Sequence, residues 1–211
     1  MKYKGVIFDL DGVICFTDEY HYQAWKMLAD SLGLPFDRTV NNRLRGVSRM
    51  ASLKIVLEPS DKVYSDEEME AMAKQKNDRY RELLAQMSTA DLSDEVKNTL
   101  DALREKGLKL AIGSSSKNTP FILERIGLKG YFDAVSDGNN ITHSKPDPEV
   151  FLKAAEYLGL DPKDCLVVED AVAGAQAAHA GGMDAACLGD ASREQAGDYN
   201  LESFSQLLTV I

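Results

Sequence analysis

No apolar run in the chain approaches the ~20 residues that a membrane-spanning helix needs, and no signal-peptide pattern precedes Val6. Cysteine is scarce, with only Cys15, Cys165 and Cys187. An odd count, with no CxxC pair and no Cys/His ligand spacing, suggests neither a disulfide framework nor a zinc site. Cys165 and Cys187 lie in apolar runs and read as small buried side chains. Internal repeats and low-complexity tracts are lacking. Positive charge is in deficit, with 24 Lys and Arg against 34 Asp and Glu and a formal net charge of −10. That sign argues against nucleic acid or an anionic membrane as the main partner. A small anionic ligand would need local positive contacts. The compartment expected is reducing and cytoplasmic.

The 211 residues are 44% apolar and 27% charged, ordinary for a soluble globular chain. Five short apolar runs predict buried strands at 4–9, 108–115, 133–137, 165–170 and 184–189. Helical stretches lie between the later ones, at 93–106, 118–126, 148–158 and 171–180. Strands alternating with helices predict a parallel sheet in an α/β fold. Residues 17–87 differ, being helical with few strand signals. In 18–33, His21, Ala24, Trp25, Leu28 and Leu32 share one face, and Gly33 is a C-terminal stop. A second helix starts after Ser65 as N-cap, with acids in its first turn, and Lys76 falls on its apolar stripe. The expected architecture is an α/β core of residues 1–16 and 88–211 with a helical insert of residues 17–87. Ligands of open α/β sheets sit at the carboxyl ends of the strands, so a cleft between core and insert is the expected site.

Those strand ends are polar one after another. In "VIFDLDGV", Asp9 and Asp11 follow the first strand, and in extended chain an i, i+2 pair points to one side. Two carboxylates in different environments can divide nucleophile from acid/base work, or simply cap loop amides. "VVEDA" adds Glu169 and Asp170. Hard oxygen ligands from two strand ends suit Mg²⁺, although Asp170 alone could be a helix cap. "GSSSKN" offers Ser114, Ser115, Ser116, Lys117 and Asn118, either a phosphate cradle or a capped turn. In "SKPDPEVF", Lys145 is kept out of helix by Pro146, with Asp147 as N-cap and Pro148 at the first helical position. Lys145 could balance a phosphoryl charge or be a loop lysine. "GVSRMASL" sets Gly46, Val47, Ser48 and Arg49 at a helix start, where Ser48 can cap and Arg49 can fork onto a phosphate. His21 and Lys76 face inward, either as ligand contacts or as a satisfied histidine and a snorkelling lysine.

With "FDLDGV", "SSSKN", "SKPDPEVF" and "VEDA" in this order, the chain resembles the haloacid dehalogenase-like superfamily of phosphotransferases, in its class with an α-helical cap. "TDEYHYQAWK", "GVSRMASL" and "KQKND" extend the likeness to the β-phosphoglucomutase branch, over nearly the whole chain. The resemblance implies a Rossmann-like core with an inserted helical cap, and a Mg²⁺-dependent enzyme. It would interconvert β-D-glucose 1-phosphate and 6-phosphate through an aspartyl phosphate and β-glucose 1,6-bisphosphate. It implies Asp9 as nucleophile and metal ligand, and Asp11 as general acid/base whose backbone carbonyl also binds the metal. Glu169 and Asp170 would hold that ion, and Ser114 and Lys145 the phosphoryl group in transfer. Arg49, Ser116, Lys117 and Asn118 would grip the far phosphate. His21, Trp25 and Lys76 would line the cap side, and Thr17 would lie in the hinge. A monomer is implied. Two other readings remain: a Mg²⁺-dependent phosphatase of small sugar phosphates, and a non-catalytic sugar-phosphate-binding protein. Cys15-Phe16 stands where relatives often have a polar pair with an aspartate, and "LSDEV" lacks their Pro-Gly.

Overall fold

The computed structural model describes residues 2–211. Its sheet is built from β1 (Gly5–Phe8), β2 (Lys109–Gly113), β3 (Ala134–Ser136), β4 (Cys165–Glu169), β5 (Asp184–Cys187) and β6 (Tyr199–Asn200). The order is β3-β2-β1-β4-β5-β6, and every pairing is parallel. The chain therefore reverses its direction of travel across the sheet at β1, the switch point where such sheets open a crevice. Five strands stand where the apolar runs put them. The two-residue edge strand β6 is too short to leave a pattern.

Alternation along the strands sorts side chains onto two faces. Val6, Phe8, Leu110, Ile112, Leu166 and Val168 join one apolar cluster, together with helix α5 (Asp94–Glu105) and α6 (Thr119–Arg125). Ile7, Ala111 and Val167 join the other, with α7 (Glu149–Leu158) and α8 (Val172–Ala180). Small residues let α7 and α8 press close. A Cβ on Gly113 would lie 2.6 Å from the Phe151 ring. The start of α7 differs from expectation by one residue. Pro148 is its N-cap, while Asp147 donates its N–H to Ser144 O (3.1 Å) in the preceding turn. The Asp147 carboxylate still accepts from Glu149 N at 2.9 Å.

Between β1 and β2 come α1 (Asp18–Ser31), α2 (Arg38–Asn42), α3 (Arg49–Leu57) and α4 (Asp66–Leu84). Their ends follow local chemistry. Ser65 and Glu68 form a reciprocal capping box on α4, Ser48 caps α3, and Gly33 takes φ +68 just past α1. α2, with its Asp37 cap, is one turn long and went unpredicted. Trp25, Leu28, Leu53, Val56 and Met72 make a small apolar cluster of their own. Tyr80, Leu83, Leu84 and Met87 instead reach into the sheet's cluster. The helical layer thus has a separate core but shares its base. The return crossing is pinned by Arg125, which donates to Met87 O and Ala85 O, both at 2.8 Å. No helix among the described residues is long and apolar enough to cross a membrane.

The Phe151–Gly113 contact leaves no room for a methyl group. Gly113→Ala is expected to cost about 1–3 kcal/mol by overpacking, read as a lower urea midpoint with an unchanged slope.

Candidate active site

β1 stops at Phe8, so Asp9 and Asp11 are not both in extended chain. Leu10 O accepts from Ile14 N (3.0 Å) and Cys15 N (3.2 Å), which winds residues 10–15 into a turn. Gly12, at φ +92, closes that turn. A side chain there would place its Cβ 2.2 Å from Asp170 Oδ2, so glycine lets the two loops meet. Asp9 stays at the strand end, while Asp11 faces the first crossing and accepts a hydrogen bond from Thr17 Oγ1.

Lys145 brings the strand-end acids together. Its Nζ lies 2.5 Å from Asp9 Oδ1 and 2.5 Å from Glu169 Oε1, and the residue is 3% exposed. The other Glu169 oxygen accepts from Asp170 N and Ala171 N, both at 2.9 Å. A Cβ on Gly174 would fall 2.0 Å from Glu169 Cδ, so α8 packs directly on this carboxylate. Asp9, Glu169 and Asp170 each offer an oxygen, and these lie within 4.8 Å of one another. An all-oxygen set of buried carboxylates fits a hard cation such as Mg²⁺. The Asp11 carboxylate is outside that set, which leaves a ligand role there to its backbone carbonyl.

Burial raises Asp9 to about 7, with Glu169 and Asp11 pushing the same way and Lys145 opposing. Burial, then Glu169 and Asp9, takes Asp170 to about 8. Burial also raises Asp11, against the pull of the Thr17 hydroxyl. Lys145 would be lowered by burial, but Asp9 and Glu169 outweigh that and hold it protonated.

The acids open into a cleft of about 510 Å³ between the sheet edge and the helical layer. His21, Trp25, Gly46, Val47, Ser48, Arg49 and Lys76 line it from the helices, and Ser114, Ser115, Ser116, Lys117 and Asn118 from the loop after β2. Of the residues picked from the sequence, Thr17 alone does not line it. Thr17 is fully buried and acts on Asp11. Among the described residues, Arg49 and Lys117 have no carboxylate within ion-pair distance, so the cleft holds uncommitted positive charge. The amides expected to cradle a phosphate are partly spent. Ser116 N donates to Ser114 Oγ and Asn118 N to Ser116 Oγ, both at 3.2 Å. The Ser115 hydroxyl is buried without a partner. Asn118 is held from the helical side by Asn77 (3.0 Å) and Arg81 (3.3 Å).

The buried Lys76 pairs with the half-buried His21, its Nζ 2.9 Å from His21 Nδ1. While Lys76 is protonated it can only donate, so Nδ1 accepts and a neutral ring carries its proton on Nε2. The Tyr80 ring packs on His21 at 4.0 Å between centroids, and Lys76 lies over Trp25 and Tyr80 at 4.7 and 4.4 Å. Burial, then Lys76 and Arg49, keeps His21 well below its ordinary value. Burial and Arg49 lower Lys76 to about 7, against Asp11. Sequence reasoning took Tyr80 for core alone and missed Arg45, Ser52 and Asn77 as lining residues. Tyr80 was findable one turn beyond Lys76 on the same stripe. Arg45 carried no signal, because its partners are remote in sequence.

A family model described as haloacid dehalogenase-like hydrolase matches residues 3–182. The chain belongs to this family. It is 40% identical to the β-phosphoglucomutase of Bacillus subtilis (strain 168) over 188 residues, covering 88% of this chain and 83% of that one. It is also 34% identical to a fructose-1-phosphate phosphatase of Escherichia coli (strain K12) over 185 residues, covering 87% and 95%. The crystal structure of a β-phosphoglucomutase from Clostridium difficile superposes with TM-score 0.92 at 35% identity, covering 97% of this chain and 93% of that one. The family-level reading and the Rossmann-like fold thus hold, and the haloacid dehalogenase-like chain is an enzyme.

The buried Lys76 should be a stability cost. Its folded value of about 7 lies below the ordinary 10.5, so between those values the unfolded chain binds the proton more tightly. Native stability therefore rises with pH across that window. Lys76→Met is expected to be more stable than the wild type by about 2 kcal/mol at pH 7. The gap should close towards pH 10, as read by urea unfolding at both values.

Proposed function

We propose that this enzyme is a Mg²⁺-dependent phosphomutase interconverting β-D-glucose 1-phosphate and β-D-glucose 6-phosphate. The observation carrying the proposal is one cleft with two regions suited to a phosphate, the first once a cation offsets its acids. One is the Asp9–Lys145 cluster. The other is formed by Arg49 and Lys117, which line the cleft without acidic partners. A phosphatase needs the first region, whereas a bisphosphate that must be held by either end needs both.

Asp9 in this reading carries the phosphoryl group as an acyl phosphate. A sugar hydroxyl oxygen forms the new bond to phosphorus as the bond to the Asp9 oxygen breaks, and Asp11 takes the hydroxyl proton. β-Glucose 1,6-bisphosphate results and turns over in the cleft. Its other phosphoryl group passes to Asp9, and Asp11 returns the proton to the departing sugar oxygen. Asp11 suits proton exchange because burial keeps its carboxyl above the usual range while Thr17 orients it. Lys145 and Ser114 neutralise and position the phosphoryl oxygens. Mg²⁺ held by Asp9, Asp170, the Asp11 carbonyl and Glu169 would shield the repulsion between carboxylate and phosphoryl oxygens. His21 and Lys76, with Trp25 beside them, would meet the sugar near Asp11. Arg49, Ser116, Lys117 and Asn118 would hold the distal phosphate, with Gly46, Val47 and Ser48 shaping that end. Residues 17–87 would act as a closing cap that excludes water.

Hydrolysis of small sugar phosphates is the second reading, favoured by the similarity to the Escherichia coli phosphatase. An assay primed with β-glucose 1,6-bisphosphate separates the two. Glucose 6-phosphate formed from β-glucose 1-phosphate should far exceed inorganic phosphate released, and phosphate as the main product would overturn the mutase assignment. Asp9→Asn should lower turnover by at least about a thousandfold, and ordinary activity in that variant would end its role as nucleophile.

A further inference from the structure

Arg45 belongs to no motif, yet it reaches from the helical layer to the acids of the sheet. Its Nη1 lies 2.9 Å from Asp190 Oδ2 and 3.9 Å from Asp170 Oδ2, and its Nη2 pairs with Asp18. The Nε is buried and has no partner, a desolvation cost that only strong pairing at the other nitrogens offsets. Asp190 is the second residue of α9 (Gly189–Arg193), a short helix tied to the loop that carries Asp170. Ala191 N donates to Asp170 O at 2.9 Å, and Leu188 N to Glu169 O at 2.8 Å. Asp170 and Asp190 therefore move as one body. The next residue brings the layers close at this same place: a Cβ on Gly46 would lie 3.7 Å from Ala173 and 3.9 Å from Ala171.

We propose that Arg45 is a positioning residue that makes closure of the helical layer depend on whether a cation occupies Asp170. The proposal rests on the acids holding a divalent cation, as in the reading above. With no cation on Asp170, the guanidinium pairs with Asp190 and sits against the Asp170 carboxyl, and the layer is held shut. A divalent cation on Asp170 weakens that hold, so the layer opens and sugar phosphate can enter. The phosphoryl group restores negative charge, and closure then follows the substrate rather than the ion alone. Linkage makes the effect reciprocal: a contact that closes the layer without the ion must weaken ion binding by the same factor.

Mg²⁺ titrations by calorimetry without sugar phosphate test the coupling directly. Arg45→Met should bind Mg²⁺ about three- to tenfold more tightly than the wild type, because a competing cation is gone. Fluorescent labels at Glu67→Cys and Lys129→Cys, both exposed sites, report the distance between layers. That distance should lengthen on adding Mg²⁺ to the wild type. In Arg45→Met it should already be long and should not respond. Asp190→Asn removes the anchor while leaving the Asp170 carboxylate intact, and it should open the metal-free layer in the same way. A Mg²⁺ affinity within twofold of wild type in Arg45→Met, or a short distance retained in either variant, would overturn the proposal. A wild type that binds no Mg²⁺ would instead overturn the metal reading beneath it.

Discussion

A single buried ammonium sets the terms for this molecule. Asp9 and Glu169 come from adjacent strand ends, and burial makes their charges costly. Lys145 reaches both from a third loop and rests over the Phe151 ring at 4.8 Å. Glu169 in turn gathers the amides at the head of α8, and Gly174 gives that helix room to sit on it. Loops and helices around the carboxyl edge are therefore arranged about one electrostatic knot. Losing either side of such a pair strands the other in a poorly solvating interior.

Positive charge in the cleft is of two kinds. Lys145 is committed, paired twice over and held protonated. Lys76 is uncommitted, with burial lowering its affinity for a proton and no acid in hydrogen-bond reach to counter it. Among the described residues, Arg49 and Lys117 are likewise free of carboxylates. Keeping cations unpaired in a chain with ten more acidic than basic residues takes deliberate placement. It is the local positive setting that an acidic protein needs to attract a small anion.

Much of this was legible in the sequence, and the limits have physical causes. Apolar runs marked five strands because both faces of a parallel sheet are buried. Ser65, Ser48 and Gly33 announced helix ends because caps are local chemistry. The one-residue displacement at Asp147 arose from a competing turn bond to Ser144. The strand-end acids were visible as residues, but their partners were not: Lys145 meets Asp9 across 136 positions and Arg45 meets Asp190 across 145. Pairings at that range are decided by topology rather than by pattern. The same holds for the amides after β2. Ser116 N and Asn118 N are spent on the Ser114 and Ser116 oxygens of their own loop, which leaves each hydroxyl proton to donate.

The chain passes between the sheet and the helical layer twice. The outgoing passage runs by Cys15, Phe16 and Thr17, fastened at Thr17 to Asp11. The return runs by Met87, fastened to Arg125. Two fastened points define an axis, and a body attached at both keeps one easy degree of freedom, rotation about the line joining them. Any motion of the layer would be confined to a swing about that line. Such a swing would return His21, Arg49 and Lys76 to the same side of the cleft, and the two crossings rather than the ligand would remove the entropy of finding that register.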